Sequence, residues 1–475
     1  MGTPRGRAVV AASVLGSGVA FLDGTVVNVA LPAIGRDLHT GLAGLQWVVD
    51  GYLLTLGALV VLGGSLGDRL GRRRVFRWGL VGFMGASLAC AAAPSVGALI
   101  GARFVQGIAA ALLVPVSLAL VSAPFHPDDR GRAIGAWSGL SGVATAVGPF
   151  VGGFLVDSVS WRLVFVLNVP FVVAALILAN RAVPESRDES ARGVPDVTGA
   201  VLLAVGLAGV VHALIEGPNQ GWPPVTFVTG IVGGVGLIAF VAVELRAADP
   251  MVPLGMFRSR QFSGANLTTF AVYAALGSGT FFVVLQLQSN LGYSALEAGA
   301  ALLPVTLLML AFSEKMGGLV RVIGARLPMT VGPVVAGAGL ALLAAVRPGH
   351  TYVTVVLPGA LVFGAGLTIT VAPLTTAVLA AAEERLTGLA SAINNAVARI
   401  AGLLAVAVLP GLTGMGGGAL GASLDEGYRA AMLASAILAA VGGLVALATI
   451  RRSVPVEPVT HPDLGQACGQ VVERG

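Results

Sequence analysis

Residues 44–74 read GLQWVVDGYLLTLGALVVLGGSLGDRLGRRR. The stretch up to Ser65 is almost wholly apolar or small, and its roughly 20 residues suffice for a helix to cross a hydrocarbon layer about 30 Å thick. It ends in a Gly-Asp turn at Gly67 and Asp68 and a cluster of Arg69, Arg72, Arg73 and Arg74. Basic clusters of this kind mark loops retained on the cytoplasmic side of a membrane. An apolar span holding one carboxylate, Asp50, and closed by a basic loop is the unit from which the chain is built.

Apolar runs of similar length recur along the whole sequence. They predict fourteen spans: 8–33, 44–65, 75–95, 98–122, 132–156, 162–182, 197–215, 225–246, 262–288, 297–319, 327–346, 351–377, 387–412 and 428–450. The composition agrees, since 56% of the 475 residues are hydrophobic and 11% charged, against about 25% charged in a soluble domain. The expected fold class is therefore an all-α integral membrane protein, with lipid covering much of its surface. The 67 glycines and 25 prolines suit close helix packing and locally broken backbone. Two cysteines, Cys90 and Cys468, are too few for a disulfide framework. The first run carries Asp23 and lacks a short apolar core with a small-residue cleavage site, so it reads as a span and not as a removed signal peptide.

The net charge of +5 and pI near 9.7 could suit nucleic acid, but the basic residues lie between apolar runs, and no nucleic-acid partner is expected. Of the 28 Lys+Arg, only Arg36, Arg162, Arg347 and Arg429 fall on the side opposite the N-terminus, and Arg103 and Arg399 fall within spans. This asymmetry predicts that both termini are cytoplasmic. The connections are short, apart from a polar linker near Pro184 to Pro195. There is a weak internal repeat. GGSLGDRLGRRR (63–74) resembles MGGLVRVIGARLP (316–328), with Gly64, Leu66, Gly71 and Arg73 falling on Gly317, Leu319, Gly324 and Arg326 at one constant spacing. The expected organisation is a six-helix unit over 1–182, a linker over 183–196, two inserted helices over 197–246, a second six-helix unit over 247–450 and a tail over 451–475.

Ionisable groups within spans cost roughly 2.5–3.5 kcal/mol each at a helix centre, which makes each a functional candidate. Asp23 in span one, Asp50 in span two and Arg103 in span four come at similar depth when counted at 1.5 Å per residue. Two carboxylates and a guanidinium away from water can form a proton site in which protonation follows the position of the arginine. The plainer alternative makes Arg103 a static counter-ion, and Asp50 could instead line a cation site. In the loop, Gly64, Asp68, Arg69, Gly71 and Arg72 serve topology and could also gate, with Asp68 capping a helix or pairing with an arginine of the other repeat. Arg321 stands in the second copy where Asp68 stands in the first, so an asymmetric latch is expected. In span five, Gly148, Pro149, Gly152 and Gly153 combine small side chains with a helix-bending proline; a packing face and a hinge both account for them. Gln106, Gln286, Asn394, Asn395 and Arg399 are candidates for a substrate cavity, with helix–helix bonding as the alternative. Glu216, in LIEGPNQGW, is expected at the outer interface with Trp222. His461 and Cys468 lack metal-site spacing.

In order, LDGTVVNVALP, GGSLGDRLGRRR, RFVQG and VGPFVGG resemble the fourteen-helix drug:proton antiporter branch of the major facilitator superfamily, and the resemblance extends through LIEGPNQGW, PLGMFRSRQF and ASAINNAVARIAGLLAVAVL. It implies two six-helix bundles around a central cavity, two extra transmembrane helices beside them, and alternating access by rocking. It further implies that Asp23 is essential and that Arg103 relays protons. Asp68 with Arg72 would be the gating loop, and Gly148, Pro149, Gly152 and Gly153 the antiporter motif. The second loop copy departs from the pattern by lacking its acidic residue.

The function expected from the sequence is proton-driven export of a small amphipathic drug or antibiotic across the cytoplasmic membrane, by a monomer with no cofactor. No GxxxxGK[ST] loop is present for an ATP-driven pump. No nucleophile–base or metal constellation is visible, so an enzyme is not expected. Export of an endogenous metabolite on the same fold is the alternative, and a transport-inactive membrane sensor a third.

Overall fold

The computed structural model describes residues 3–122, 127–188, 194–383, 386–415 and 420–451, and the regular elements among them are helices. The first group comprises α1 (Pro4–Asp37), α2 (Leu42–Leu70), α3 (Arg72–Ala91), α4 (Val96–Ser122), α5 (Pro127–Ser158), α6 (Leu163–Val166) and α7 (Asn168–Ala182). Next come α8 (Val197–Gln220) and α9 (Pro224–Glu244). A final group comprises α10 (Arg260–Ser289), α11 (Ala295–Ala301), α12 (Leu303–Ile323), α13 (Arg326–Leu343), α14 (Leu357–Ala380), α15 (Thr387–Leu412) and α16 (Leu420–Thr449).

Among the described residues, 13 helical segments are long and apolar enough to cross a bilayer, with α6–α7 and α11–α12 each forming one span. The fourteenth is α3, whose 20 residues reach about 30 Å; Arg72, Arg73, Arg74 and Arg77 keep its first turns polar. Residues 452–475, with His461 and Cys468, lie outside the described residues, as does the side chain of Arg321.

Helix packing separates the chain into the groups above. α1 packs on α5 and α7, α2 on α4, and α3 on α4; in the last group α10 packs on α15 and α16, and α13 on α14 and α16. α8 and α9 pack on each other, and α8 also touches α2 and α15, so it lies across the seam between the groups. On α9, Ile231, Val235 and Ile238 are exposed, an apolar face whose natural solvent is lipid.

The groups meet along α2–α15 and along α5–α11. Among the described residues, the hydrogen bonds that join them directly lie at the end away from the arginine-rich loop. Gln46 Nε2 donates to the Val406 carbonyl (2.7 Å), Gln288 Nε2 to that of Val29 (2.9 Å), and the Ala295 and Leu296 amides to the Asp157 carboxylate (3.0 and 2.8 Å). The last two bonds satisfy amides at the start of α11 that its own backbone leaves open.

Candidate functional site

Asp23 is fully buried on α1, and both its oxygens are used. Oδ2 pairs with Nη1 of Arg103 from α4. Oδ1 accepts from Nε2 of Gln106 (2.9 Å) and Nδ2 of Asn168 (2.9 Å). Ser87 of α3 closes the group by accepting from Gln106 (2.9 Å) and Asn168 (3.3 Å). Four helices, α1, α3, α4 and α7, thus each supply one or two side chains to a single buried network. Arg103 is only 1% exposed. Its Nη1 also donates to Gln106 Oε1 (2.7 Å), its Nε donates to the Val48 carbonyl (2.9 Å), and its guanidinium lies 4.4 Å from the Tyr52 ring centroid. The Tyr52 hydroxyl in turn donates to Ala20 (2.9 Å). Stacking and charge-assisted bonds offset the desolvation of the guanidinium.

Asp50 does not join this network. It is fully buried on α2, and among the described residues neither carboxylate oxygen has a hydrogen-bond partner. Of the three charged residues expected at one depth, the structure pairs Asp23 with Arg103 and leaves Asp50 apart. Asn168 and Ser87 are members that the sequence reading missed. Asn168, an isolated polar residue in LVFVLNVPF, carries no charge, so the rule that picked out Asp23 passes over it.

In the arginine-rich loop, Asp68 accepts from Arg72 (Nε 2.9 Å, Nη2 2.7 Å), four residues on. Its partner here is an arginine of its own loop. The loop also clamps the linker: the Arg72 amide donates to Ser186 (2.8 Å), the Asp188 amide to the Asp68 carbonyl (2.9 Å), the Arg73 amide to Glu185 Oε1 (3.0 Å) and Arg73 Nη1 to Val183 (3.1 Å). Gly71, with φ of 107°, takes a backbone conformation that strains any residue carrying a Cβ. Gly64 packs more loosely, its would-be Cβ 3.4 Å from Pro115, and Arg69 is half-buried.

The glycines of α5 divide into two sets. Gly148 and Gly152 abut α1 at Thr25 and Val26, and a Cβ on Gly153 would stand 2.6 Å from the Cα of Leu296 at the head of α11. Pro149 lies in the same contact, where its carbonyl abuts Gly299. Gly135, Gly139 and Gly142, nearer the arginine-rich end, face open space. Pro149 and Gly153 of VGPFVGG therefore form the contact on which the groups close at the far end, and Gly148 and Gly152 seat α5 on α1. The other half of α5 also packs on α1, where Trp137 Nε1 donates to Ser17 (2.8 Å), with its glycines turned to open space.

The remaining candidates split. Asn394 donates to Asn266 (3.1 Å) and Thr269 (2.6 Å) of α10, and Gln286 donates to the Val346 carbonyl (3.5 Å) while accepting from Asn290 (3.0 Å). These two are spent on helix packing. Arg399 donates to Asn395 (3.3 Å) and sits 5.4 Å from the Phe21 ring centroid of α1, across the seam. That pair lies at the seam between the groups.

The Major Facilitator Superfamily model matches residues 13–406. The chain is 37% identical over 397 residues to "Multidrug resistance protein Stp" of Mycobacterium tuberculosis, covering 83% of this chain and 73% of that protein. It is 36% identical over 394 residues to "Tetracenomycin C resistance and export protein" of Streptomyces glaucescens (82% and 72% covered), and 35% identical over 444 residues to "Methylenomycin A resistance protein" of Streptomyces coelicolor (91% and 90%). Among solved structures, a D-xylose-proton symporter superposes with a TM-score of 0.67 over 94% of this chain and 98% of that one, at 16% identity. A POT family transporter reaches 0.70 over 94% and 96%, at 15% identity. At these identities the structures attest the fold.

Proposed function

The chain belongs to the Major Facilitator Superfamily and is a multi-pass membrane transporter, and from that premise we propose that it exports drug-like or antibiotic molecules in exchange for protons. The relatives named for multidrug, tetracenomycin and methylenomycin resistance support the direction and the class of cargo. The arginine-rich end and both termini face the cytoplasm, as the distribution of Lys and Arg supports. The membrane is then the bacterial cytoplasmic membrane, and the closed end is the outer one. Residues 1–182 and 247–450 are the two rocking bundles of a monomer, joined through the 183–196 linker and the α8–α9 pair, with a cytoplasmic tail from 451.

The observation that carries proton coupling is the contrast between the two carboxylates. Asp23 has three donors, one of them the paired cation Arg103, an arrangement that fixes its carboxylate in place. Among the described residues Asp50 has none, and an unpaired buried carboxylate costs several kcal/mol, so Asp50 is the residue assigned the coupling proton while the outer end is closed. Its release inside accompanies the return of the bundles, and rebinding from outside follows loss of the cargo. Coupling is tested in inverted vesicles: a protonophore should stop substrate accumulation, and accumulation that continues against a substrate gradient would overturn the reading. The name of the tetracenomycin relative, which joins resistance to export, also favours a second cargo, a single secreted natural product. A susceptibility panel in a pump-deficient host separates the two, since a broad exporter protects against chemically unrelated compounds and a dedicated one against one scaffold.

A further inference from the structure

At the end where the two groups close, a cavity of about 340 Å³ opens between α2, α4, α8 and α15. Its walls include Gln46 and Trp47 of α2, Ile100 of α4, Glu216 of α8 and Pro410 of α15, so it touches both bundles and the α8–α9 pair. It is separate from the Asp23 network, none of whose members lines it. That volume lies at the small end of ligand sites and fits a compact head with a short apolar body.

Its polar groups select the sign of the guest. Glu216 is the ionisable residue among the described lining residues, and among the described residues no basic side chain pairs with it. Its carboxylate is held by neutral donors only: Trp47 Nε1 to Oε1 (2.9 Å) and Gln220 Nε2 to Oε2 (2.6 Å). Each oxygen retains acceptor capacity. The side-chain amide of Gln46 is already spent on Val406. Asn219 and the amides of Leu42, Ala43 and Gly44 at the start of α2 also line the cavity, but they are neutral, so the formal charge among the described lining residues is the negative one of Glu216. The indole of Trp47 is steadied from α4 and α8 by Phe104 and His212, both with ring centroids 6.2 Å away, and His212 is tied to Thr229 of α9 (3.0 Å). A carboxylate beside an aromatic face, walled by Ile100, Leu214, Pro218 and Pro410, is the chemistry that receives an organic ammonium ion.

We propose that this cavity is a binding site for an organic ammonium group carrying an apolar body, with Glu216 as its counter-ion and Trp47 as its aromatic wall. The occupant comes either from an amine lipid headgroup or from a free amphipathic cation. The proposal assigns the site a chemistry that the transport reading does not require.

The test uses the full-length protein in detergent micelles, where no gradient exists, so its outcome stands apart from the transport reading. Benzyltrimethylammonium is titrated in by calorimetry. Wild type should bind it, and Glu216→Gln should weaken binding tenfold or more at an unchanged unfolding temperature. Trp47→Phe, which keeps a ring but removes the donor, should weaken it less. The neutral carbon isostere neopentylbenzene should not compete. Equal affinity in wild type and Glu216→Gln, or equal competition by the isostere, would overturn the proposal. In nanodiscs of equal phosphatidylglycerol content, and so of equal surface charge, phosphatidylethanolamine that raises the apparent Kd for the probe in wild type, relative to an uncharged glycosyl diacylglycerol, identifies the lipid amine as the occupant; equal Kd in the two identifies the free cation.

Discussion

Asp23 and Asp50 are both buried aspartates on neighbouring helices of the first bundle, yet replacing each by asparagine should have opposite consequences. Asp23→Asn strips Arg103 of its only carboxylate among the described residues. An uncompensated buried guanidinium costs about 3–5 kcal/mol, so the variant should unfold at markedly lower temperature in detergent and export nothing. Asp50→Asn replaces a group with no side-chain bonds to lose among the described residues. Its stability should stay within about 1 kcal/mol of wild type, while substrate accumulation in vesicles loses its dependence on the proton gradient. A stable Asp23→Asn variant with normal efflux, or gradient-dependent export by Asp50→Asn, would contradict this division of labour. Asp23 and Arg103 were legible in the sequence because charge within an apolar run has few explanations. Asn168 and Ser87 were not, because an uncharged polar residue in a span resembles ordinary helix bonding until the fold brings it to a carboxylate.

On α5 the glycine-rich pattern reads as one continuous small-residue face, and the sequence left packing and hinge readings open. The structure divides it by position. At Gly139 a Cβ would meet nothing, so Gly139→Ala should be neutral or raise stability by up to about 1 kcal/mol through helix propensity. At Gly153 a Cβ would press on the backbone of α11 at Ala295 and Leu296. Gly153→Ala should therefore loosen the far-end closure, and a cysteine at Leu296 should react with a thiol reagent faster in that background than beside Gly153. Equal labelling rates would show that the contact does not hold the groups together. The sequence could locate the small residues but not which half of α5 meets the other bundle, because that depends on the tilt between two bundles distant in sequence.

Across the whole molecule, hydropathy and charge placement made the number of spans readable, since lipid punishes exposed polarity at every residue. Which end is closed was not readable, because the same sequence must support both closures during transport. The direct bonds between the groups, Gln46 to Val406, Gln288 to Val29 and Asp157 to α11, are few and mostly to backbone. Interfaces of that kind can be exchanged without dismantling either bundle. Holding them shut should therefore stop transport while leaving each bundle intact. A Val29→Cys/Gln288→Cys pair in a Cys468→Ser background, with the native Cys90 buried, provides the handle. A short reducible bifunctional thiol reagent should abolish efflux, and reductant should restore it. Spin labels at Gly139 and Gly318, which face open space on α5 and α12, should then report one fixed separation when cross-linked and a second, shorter one after reduction in the presence of substrate. Efflux that persists through the cross-link would mean that the far-end seam does not open during the transport cycle, and the rocking of the two bundles would have to be abandoned.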